Sequence, residues 1–239
     1  MLDASQAHHL RDVLRLTAGT EIELFDDVGS VAHGVVTAVD PARVSIRVES
    51  IEEPKEAGDL IIASAVPKGD RADWMIEKLS ELGVTRFIPL QTERSVVHPT
   101  GVGKRDRWMR IATESAKQSR RAGVMKIDEL ARLSDVIEFR GVGASPMHRR
   151  LEPPARGRDA HATWYFSTAA DAVDLRNLVD SVFTNLALFI GPEGGWTDAE
   201  MALFGSANLT GVKLTATILR VETAAIAAAA IAATLLVRR

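Results

Sequence analysis

In the first 60 residues, apolar and polar positions alternate along short segments that are separated by polar turns. These segments are residues 21–25, 30–39 and 43–51, and Asp, Gly and Pro residues separate them. Turn residues at such short spacing predict a small β-domain. The following stretch, residues 52–58, has no apolar periodicity and contains both Pro54 and Gly58. We therefore predict a linker there and a division into domains 1–57 and 58–239.

The period changes after this linker. Residues 59–66 form a continuous apolar run, which is typical of a strand buried on both faces. Residues 70–82 then carry apolar side chains at helical spacing, and Gly83 ends that helix before a second strand at 85–90. The pattern further predicts a long helix at residues 104–121. It also predicts buried strands at 163–166 and 185–190, with a helix between them at 172–179. This alternation predicts an α/β domain with a mostly parallel sheet.

Composition excludes several classes of protein. The chain has no cysteine, which excludes a disulfide scaffold, a thiolate zinc site and a cysteine nucleophile. The most apolar stretch, residues 224–237, has 14 residues, fewer than the roughly 20 that cross a bilayer. The N-terminus lacks the basic start and apolar middle of a secretory signal. We expect a cytoplasmic protein with no membrane span and no metal site.

The net charge of −3 conceals an uneven distribution. Residues 1–63 contain 5 Lys and Arg against 12 Asp and Glu, whereas residues 64–126 contain 13 against 7. Concentrated basic charge is compatible with a phosphate-binding face. It is equally compatible with Lys and Arg side chains that only cover the solvent-exposed faces of two helices.

A glycine-rich turn gives the sharpest local signal. An apolar strand runs into Gly191-Pro192-Glu193-Gly194-Gly195, after which Thr197 and Glu200 have the spacing of a capping box that opens a helix. In open α/β sheets, ligands bind at the carboxyl ends of strands, where glycine permits close approach to the backbone. The order of residues fits neither the dinucleotide fingerprint nor the Walker loop. A nicotinamide or nucleoside triphosphate site is therefore disfavoured.

A second signal lies about twenty residues later. A short strand at 212–214 leads through an irregular stretch to an alanine-rich helix that begins near Glu222 or Thr223. Glu222 could simply complement the dipole of that helix. Arg220 lies between apolar residues and needs a partner, so it either forms an internal ion pair, with Glu222 or Glu193, or points at a ligand.

Several sequence blocks together resemble one family, the RsmE-type ribosomal RNA methyltransferases of the SPOUT superfamily. The matching blocks are His9-Leu10 with Val13-Leu14-Arg15 and Gly19, Phe25-Asp26 with Gly29, Lys78 with Glu81-Leu82-Gly83-Val84, Glu93-Arg94-Ser95, Glu114-Ser115-Ala116 with Gln118 and Arg121, Ile190 to Gly195, and Ile218-Leu219-Arg220 with Glu222-Thr223-Ala224. They cover nearly the whole chain in order. Where relatives tend to have glycine and arginine, this chain has Thr215 and Thr217.

The resemblance implies a fold and an activity. It implies a small N-terminal PUA-like β-barrel for RNA, and a C-terminal SPOUT-type parallel sheet with a trefoil knot that works as a homodimer. The implied reaction is S-adenosylmethionine-dependent methylation of N3 of a uridine in 16S ribosomal RNA of the small subunit. For the dimer we expect close contact through the alanine-rich helix, residues 223–237, unless that helix packs only within its own subunit.

The resemblance also implies site residues. The cofactor is expected among three loops, at Ser167, Ile190, Gly191, Pro192, Glu193, Gly194, Gly195, Leu214, Thr217, Ile218, Leu219, Arg220 and Thr223. RNA contacts are expected from Arg11 and Arg15 in the first domain. In the basic segment 64–126 they are expected from Lys68, Arg71, Arg94, Arg110, Lys117 and Arg121, because basic charge is concentrated there.

The chemistry restricts the catalytic residues. Because N3 of neutral uridine carries a proton, the enzyme must help to remove it or must stabilise the resulting anion. We expect Arg220 to stabilise the anion and Glu193 or Glu222 to act as the base. Two alternatives stay open: a SPOUT ribose 2′-O-methyltransferase, and a non-enzymatic RNA-binding protein of ribosome assembly.

Overall fold

The computed structural model describes residues 10, 12, 15–27, 29–40, 43–53, 58–99, 102–121, 123–138, 161–178 and 182–236. The chain divides into two compact units, residues 1–55 with 122–124 and residues 56–121 with 125–239. The domain boundary between residues 57 and 58 stays a prediction, two residues away from this division.

The first unit contains an antiparallel sheet of three described strands. These are β1 (Glu21–Phe25), β2 (Val31–Val39) and β3 (Val44–Glu52), in the order β1-β2-β3. All three strands were predicted from the sequence. The register shifts between His33 and Gly34, where a Cβ on Gly34 would lie 2.6 Å from the carbonyl oxygen of Arg47. Glycine permits this irregularity, and closure of the sheet into a barrel stays a prediction.

The second unit is built on an eight-stranded parallel sheet. Its strands are β4 (Leu60–Ser64), β5 (Arg86–Gln91), β6 (Lys126–Ile127), β7 (Ala131–Arg132), β8 (His161–Phe166), β9 (Val173–Asp174), β10 (Asn185–Ile190) and β11 (Thr210–Lys213). They follow the order β6-β5-β4-β10-β8-β11-β9, with β7 also paired to β5. The predicted parallel α/β architecture is confirmed. The trefoil knot stays a prediction.

Five helices accompany this sheet in the described part of the chain. They are α1 (Asp70–Glu81), α2 (Val102–Gln118), α3 (Leu133–Glu138), α4 (Asp198–Ser206) and α5 (Val221–Leu235). The helix predicted near 172–179 is wrong. Val173 instead pairs with Val212 in the sheet, and the side chain of Asp174 accepts a hydrogen bond from the backbone N–H of Arg176, which starts a single 3₁₀ turn at Leu175–Asn177.

The alanine-rich helix α5 packs against α1, β4 and β10. Four of its alanines, Ala225, Ala228, Ala229 and Ala232, are buried in the subunit core. Ala224, Ala227, Ala230 and Ala233 are only half-buried. Packing within the subunit thus accounts for about half of the alanines. The others leave a narrow stripe of small residues at a spacing of three.

The core follows from burial of the central strands on both faces. All five residues of β4 are buried, as expected for a parallel strand between two layers of helices. Tyr165 stacks on Phe204 with ring centroids 4.3 Å apart, and this contact joins β8 to α4. Among the described residues, no helix is long and apolar enough to cross a membrane. Within those same ranges, no cluster of three or more His, Cys, Asp or Glu residues could hold a metal ion.

Candidate functional site

The glycine-rich turn directly follows β10, at the carboxyl edge of the sheet. The backbone N–H of Gly195 donates to the carbonyl oxygen of Pro192 at 2.8 Å and closes the turn. Gly195 has a φ of +72°, a left-handed conformation that glycine adopts without steric cost. Pro192 is buried, whereas Glu193 and Gly194 are exposed. The turn therefore presents mostly backbone to its surroundings.

Trp196 holds this turn against the neighbouring strand. Its indole N–H donates to the carbonyl oxygen of Phe166, the last residue of β8, at 2.8 Å. A Cβ on Gly191 would lie 2.9 Å from the Trp196 ring, so the ring requires glycine at that position. From the sequence, this glycine was predicted to permit close approach of a ligand, and Trp196 was not among the predicted site residues. A large aromatic residue directly after the glycine run was the available signal.

The capping box predicted at the start of α4 is confirmed. The Thr197 side chain accepts from the Glu200 backbone N–H, and the Glu200 carboxylate accepts from the Thr197 backbone N–H. The carboxylate also accepts from the backbone N–H of Glu93 at 3.0 Å. Glu200 is only 4% exposed. It thus links the loop after β5 to the loop after β10, a role that capping-box spacing alone does not reveal.

The other two predicted cofactor loops end at the same edge. Ser167 follows β8, and its backbone N–H donates to the carbonyl oxygen of Val212 in β11. The loop from Leu214 leads from β11 to α5, and Ile218 within it is 77% exposed. Because parallel strands present their carboxyl ends together, the structure brings the three loops to one edge. The predicted residues outside the turn are Ile190 at the end of β10, Ser167, Leu214, Thr217, Ile218, Leu219, Arg220 and Thr223, of which the last lies in the first turn of α5.

A buried carboxylate lies at the start of α5. Glu222 is 4% exposed, and its Oε1 pairs with Nη1 of Arg71 at 3.3 Å. Its Oε2 is buried and has no hydrogen-bond partner. A buried carboxylate oxygen costs free energy unless a donor reaches it. This oxygen therefore has an unfilled hydrogen-bond requirement at the start of α5.

Arg220 is the N-cap residue of α5 and is exposed. In the described ranges no ion pair of Arg220 is found, and Glu222 pairs with Arg71 instead. The alternative of an internal ion pair of Arg220, with Glu222 or Glu193, is thus wrong. The guanidinium of Arg220 is therefore exposed to solvent beside the candidate site.

A small cleft connects several of these residues. Its volume is about 130 Å³. It lies between the loops after β4, β5 and β10 and the start of α5, and its polar lining includes Lys68, Arg71, Ser95 and Glu193. Two cations and a carboxylate at this edge match a site that handles charged or polar groups.

Comparison with known proteins identifies the family. Residues 53–233 match the RNA methyltransferase domain family, and residues 2–49 match the RNA methyltransferase PUA domain family. The chain is 31% identical to ribosomal RNA small subunit methyltransferase E of Bacillus subtilis over 93% of its length and 85% of that protein. It belongs to the RsmE family. A relative in Synechocystis, also named ribosomal RNA small subunit methyltransferase E, is 30% identical over 93% of this chain and 69% of its own length.

The crystal structure of the RsmE protein from Neisseria gonorrhoeae, bound to S-adenosyl methionine, is similar to this fold. The TM-score is 0.75 at 25% identity, covering 98% of this chain and 91% of that one. The predicted SPOUT-type sheet and N-terminal PUA domain are confirmed for this RsmE protein. The protein is an RNA methyltransferase.

The residues expected to contact RNA occupy different environments in this RsmE chain. Arg110 on α2 is exposed. Lys117 pairs with Glu114 on the same helix at 2.9 Å. Arg121 donates to the carbonyl oxygen of Ser80 at 3.0 Å, and burial lowers the pKa of its guanidinium to about 10. Arg121 therefore also ties α2 to α1.

The other five members of that set lie elsewhere. Arg11 lies outside the described residues, and Arg15, in the first unit, has a positive φ of 49°. Lys68 and Arg71 line the cleft. Arg94 bonds to the glycine-rich turn.

Proposed function

We propose that this protein methylates N3 of a uridine in 16S ribosomal RNA, using S-adenosylmethionine. The observation that carries the proposal is the meeting of three loops at the carboxyl edge of β8, β10 and β11, beside a buried carboxylate with one unpartnered oxygen. Relatives in the RsmE family are named for the same class of substrate, and the Neisseria structure holds the proposed cofactor.

The residues at this edge fit S-adenosylmethionine. The turn at 191–195 carries no side chain at its three glycines, so a ligand can approach its backbone closely. Leu214 and Ile218 add apolar surface suited to an adenine ring, and Ile218 is 77% exposed. Ser167 and Thr223 add hydroxyl groups. When bound, the cofactor supplies a methyl group on a sulfonium, which needs no metal ion.

The chain's own groups must deal with the proton on N3. Glu222 is the better of the two base candidates because Arg71 fixes its carboxylate and its Oε2 has no partner. Glu193 is exposed on the turn, where water competes for its oxygens. The exposed guanidinium of Arg220 would stabilise the negative charge that spreads over O2 and O4 once the proton leaves.

The proposal includes partners and a location. Ribosomal RNA or the small ribosomal subunit is the proposed partner, which implies a cytoplasmic site of action. We further propose a homodimer. The stripe of small residues Ala224, Ala227, Ala230 and Ala233 on α5 supports it, because small side chains let helices approach closely.

The test is methyl transfer to purified small subunits, followed by nucleoside mass spectrometry. We expect 3-methyluridine to form with the parent protein and to be absent with Glu222→Gln. Formation of 2′-O-methyluridine would favour the ribose methyltransferase alternative. Absence of both, together with no S-adenosylmethionine binding by calorimetry, would overturn the proposal in favour of a non-enzymatic assembly protein.

A further inference from the structure

The loop after β5 contains the Glu93-Arg94-Ser95 block and is held by its own hydrogen bonds. The backbone N–H of Ser95 donates to the carbonyl oxygen of Thr92 at 3.2 Å. The two side-chain hydroxyls lie 2.7 Å apart, and the Thr92 backbone N–H donates to the Ser95 hydroxyl. Thr92 is buried. This loop is therefore a fixed support for the two residues between Thr92 and Ser95.

Arg94 extends from that support to the glycine-rich turn. Its Nη1 donates to the carbonyl oxygen of Gly194 at 2.6 Å and lies 3.4 Å from that of Trp196. Its aliphatic part covers Gly194, because a Cβ there would lie 3.2 Å from the Arg94 Cδ. The Arg94 side chain thus donates hydrogen bonds to carbonyl groups at the turn and also packs against Gly194.

The backbone of Glu93 makes the second link. Its N–H donates to Oε1 of Glu200, whose Oε2 accepts from the Thr197 N–H. Glu200 is almost fully buried, and hydrogen bonds to a buried carboxylate are stronger than those between neutral groups. The loop after β5 is therefore attached at two points near the C-terminal end of the turn: the Arg94 side chain at Gly194, and the Glu93 backbone, through Glu200, at Thr197.

This double attachment has a chemical consequence. A turn with three glycines cannot define its own shape through side chains, and glycine has the largest backbone entropy to lose. A ligand that binds backbone groups gains affinity when those groups are already in place. The geometry points to Arg94 as a positioning residue that fixes the turn for the methyl donor, rather than as a contact for RNA phosphates. This inference rests on the proposed use of S-adenosylmethionine.

The experiment compares two affinities in the parent protein and three variants. The variants are Arg94→Met, which keeps the length and apolar cover of the side chain, and Arg94→Lys, which can reach one carbonyl but not two. Arg110→Met is the matched control, because it removes the same charge from an exposed position. S-adenosylmethionine binding is measured by calorimetry without RNA. Binding of small-subunit RNA is measured over a range of salt concentrations.

We expect Arg94→Met to weaken S-adenosylmethionine binding about tenfold or more, the scale of losing a hydrogen bond to a charged group. Arg94→Lys should recover part of the loss. RNA affinity and its salt slope should match the parent for both variants. Arg110→Met should show the converse, with unchanged cofactor affinity and a salt slope reduced by about 1.

Two results would overturn the inference. One is parental cofactor affinity in Arg94→Met. The other is a weakened affinity for RNA with a reduced salt slope, which would make Arg94 a phosphate contact. If Arg94→Met unfolds, Glu200→Gln serves instead, since it weakens the second link. Failure of the parent itself to bind S-adenosylmethionine would reject the proposed function, which separates that outcome from failure of the positioning role.

Discussion

Replacement of Arg71 by methionine tests the buried carboxylate of Glu222 directly. The pair joins the first turn of α1 to the first turn of α5 at 3.3 Å. Methionine keeps much of the apolar stem of arginine and removes its charge. In the variant, neither oxygen of Glu222 has a partner within the described part of the protein. We expect the folded state to lose stability.

The exposure of the two side chains sets the size of this effect. Removing one partner of a fully buried pair costs about 3–5 kcal/mol. The side chain of Glu222 is 6% exposed, but that of Arg71 is 41% exposed, so water already screens one end of the pair. We therefore expect a loss of about 1–2 kcal/mol. For a domain of this size, that corresponds to a fall of roughly 2–8 °C in melting temperature.

Tryptophan fluorescence during thermal and urea unfolding is a suitable assay. All four tryptophans, Trp74, Trp108, Trp164 and Trp196, belong to the second compact unit, so the signal reports on the unit that contains the pair. Arg110→Met is the matched control. It removes a cation from an exposed position and should change the free energy of unfolding by less than about 0.5 kcal/mol.

A double-mutant cycle with Glu222→Gln completes the test. If the two side chains interact as the structure indicates, the two single variants together lose more stability than the double variant does. We expect the summed losses in the free energy of unfolding to exceed the loss in the double variant by about 1 kcal/mol. Additive losses would refute the interaction. An Arg71→Met protein as stable as the Arg110→Met control would also refute the interaction. Arg71 would then be available to bind RNA.

Three further predictions concern chemistry, RNA and assembly. Arg220→Ala should lower the single-turnover methyl-transfer rate by roughly 100-fold or more with little change in melting temperature, since the side chain is exposed; a parental rate would remove Arg220 from catalysis. Charge reversal at Arg110 and Lys117 should weaken RNA binding and reduce the dependence of RNA affinity on salt concentration. An unchanged salt dependence would show that these side chains are only solvent-exposed charges on α2. Light scattering should show a dimer, whereas a monomer at micromolar concentration would exclude the α5 interface.

The order of elements in the second unit could be predicted from the sequence because hydrophobic period is a local property. The run at 59–66 became β4, and the helical spacing at 70–82 became α1. The failure near 172–179 is instructive. Apolar residues there do recur at helical spacing, but pairing of Val173 with a strand about forty residues away decides the conformation. Tertiary context overrides propensity at such positions.

The candidate site shows the same limit at the level of side chains. The sequence predicted that Arg71 and Arg94 would contact RNA because both lie in a basic segment, and it offered Glu222 as a partner for Arg220. In the structure, Arg71 takes Glu222 and Arg94 takes the glycine-rich turn. These partners are 151 and 100 residues apart in the chain, a separation that no local spacing encodes.

The partner of a cation decides whether its charge is free for a polyanion. Arg94 and Arg121 each donate to a main-chain carbonyl, and Arg71 faces a buried carboxylate. Lys68 and Arg110 are exposed and form no ion pair within the described ranges. Counting basic residues therefore overstates the phosphate-binding capacity of the segment 64–126. A salt slope measured on the parent protein should reflect the free cations, and so be smaller than the net charge of that segment implies.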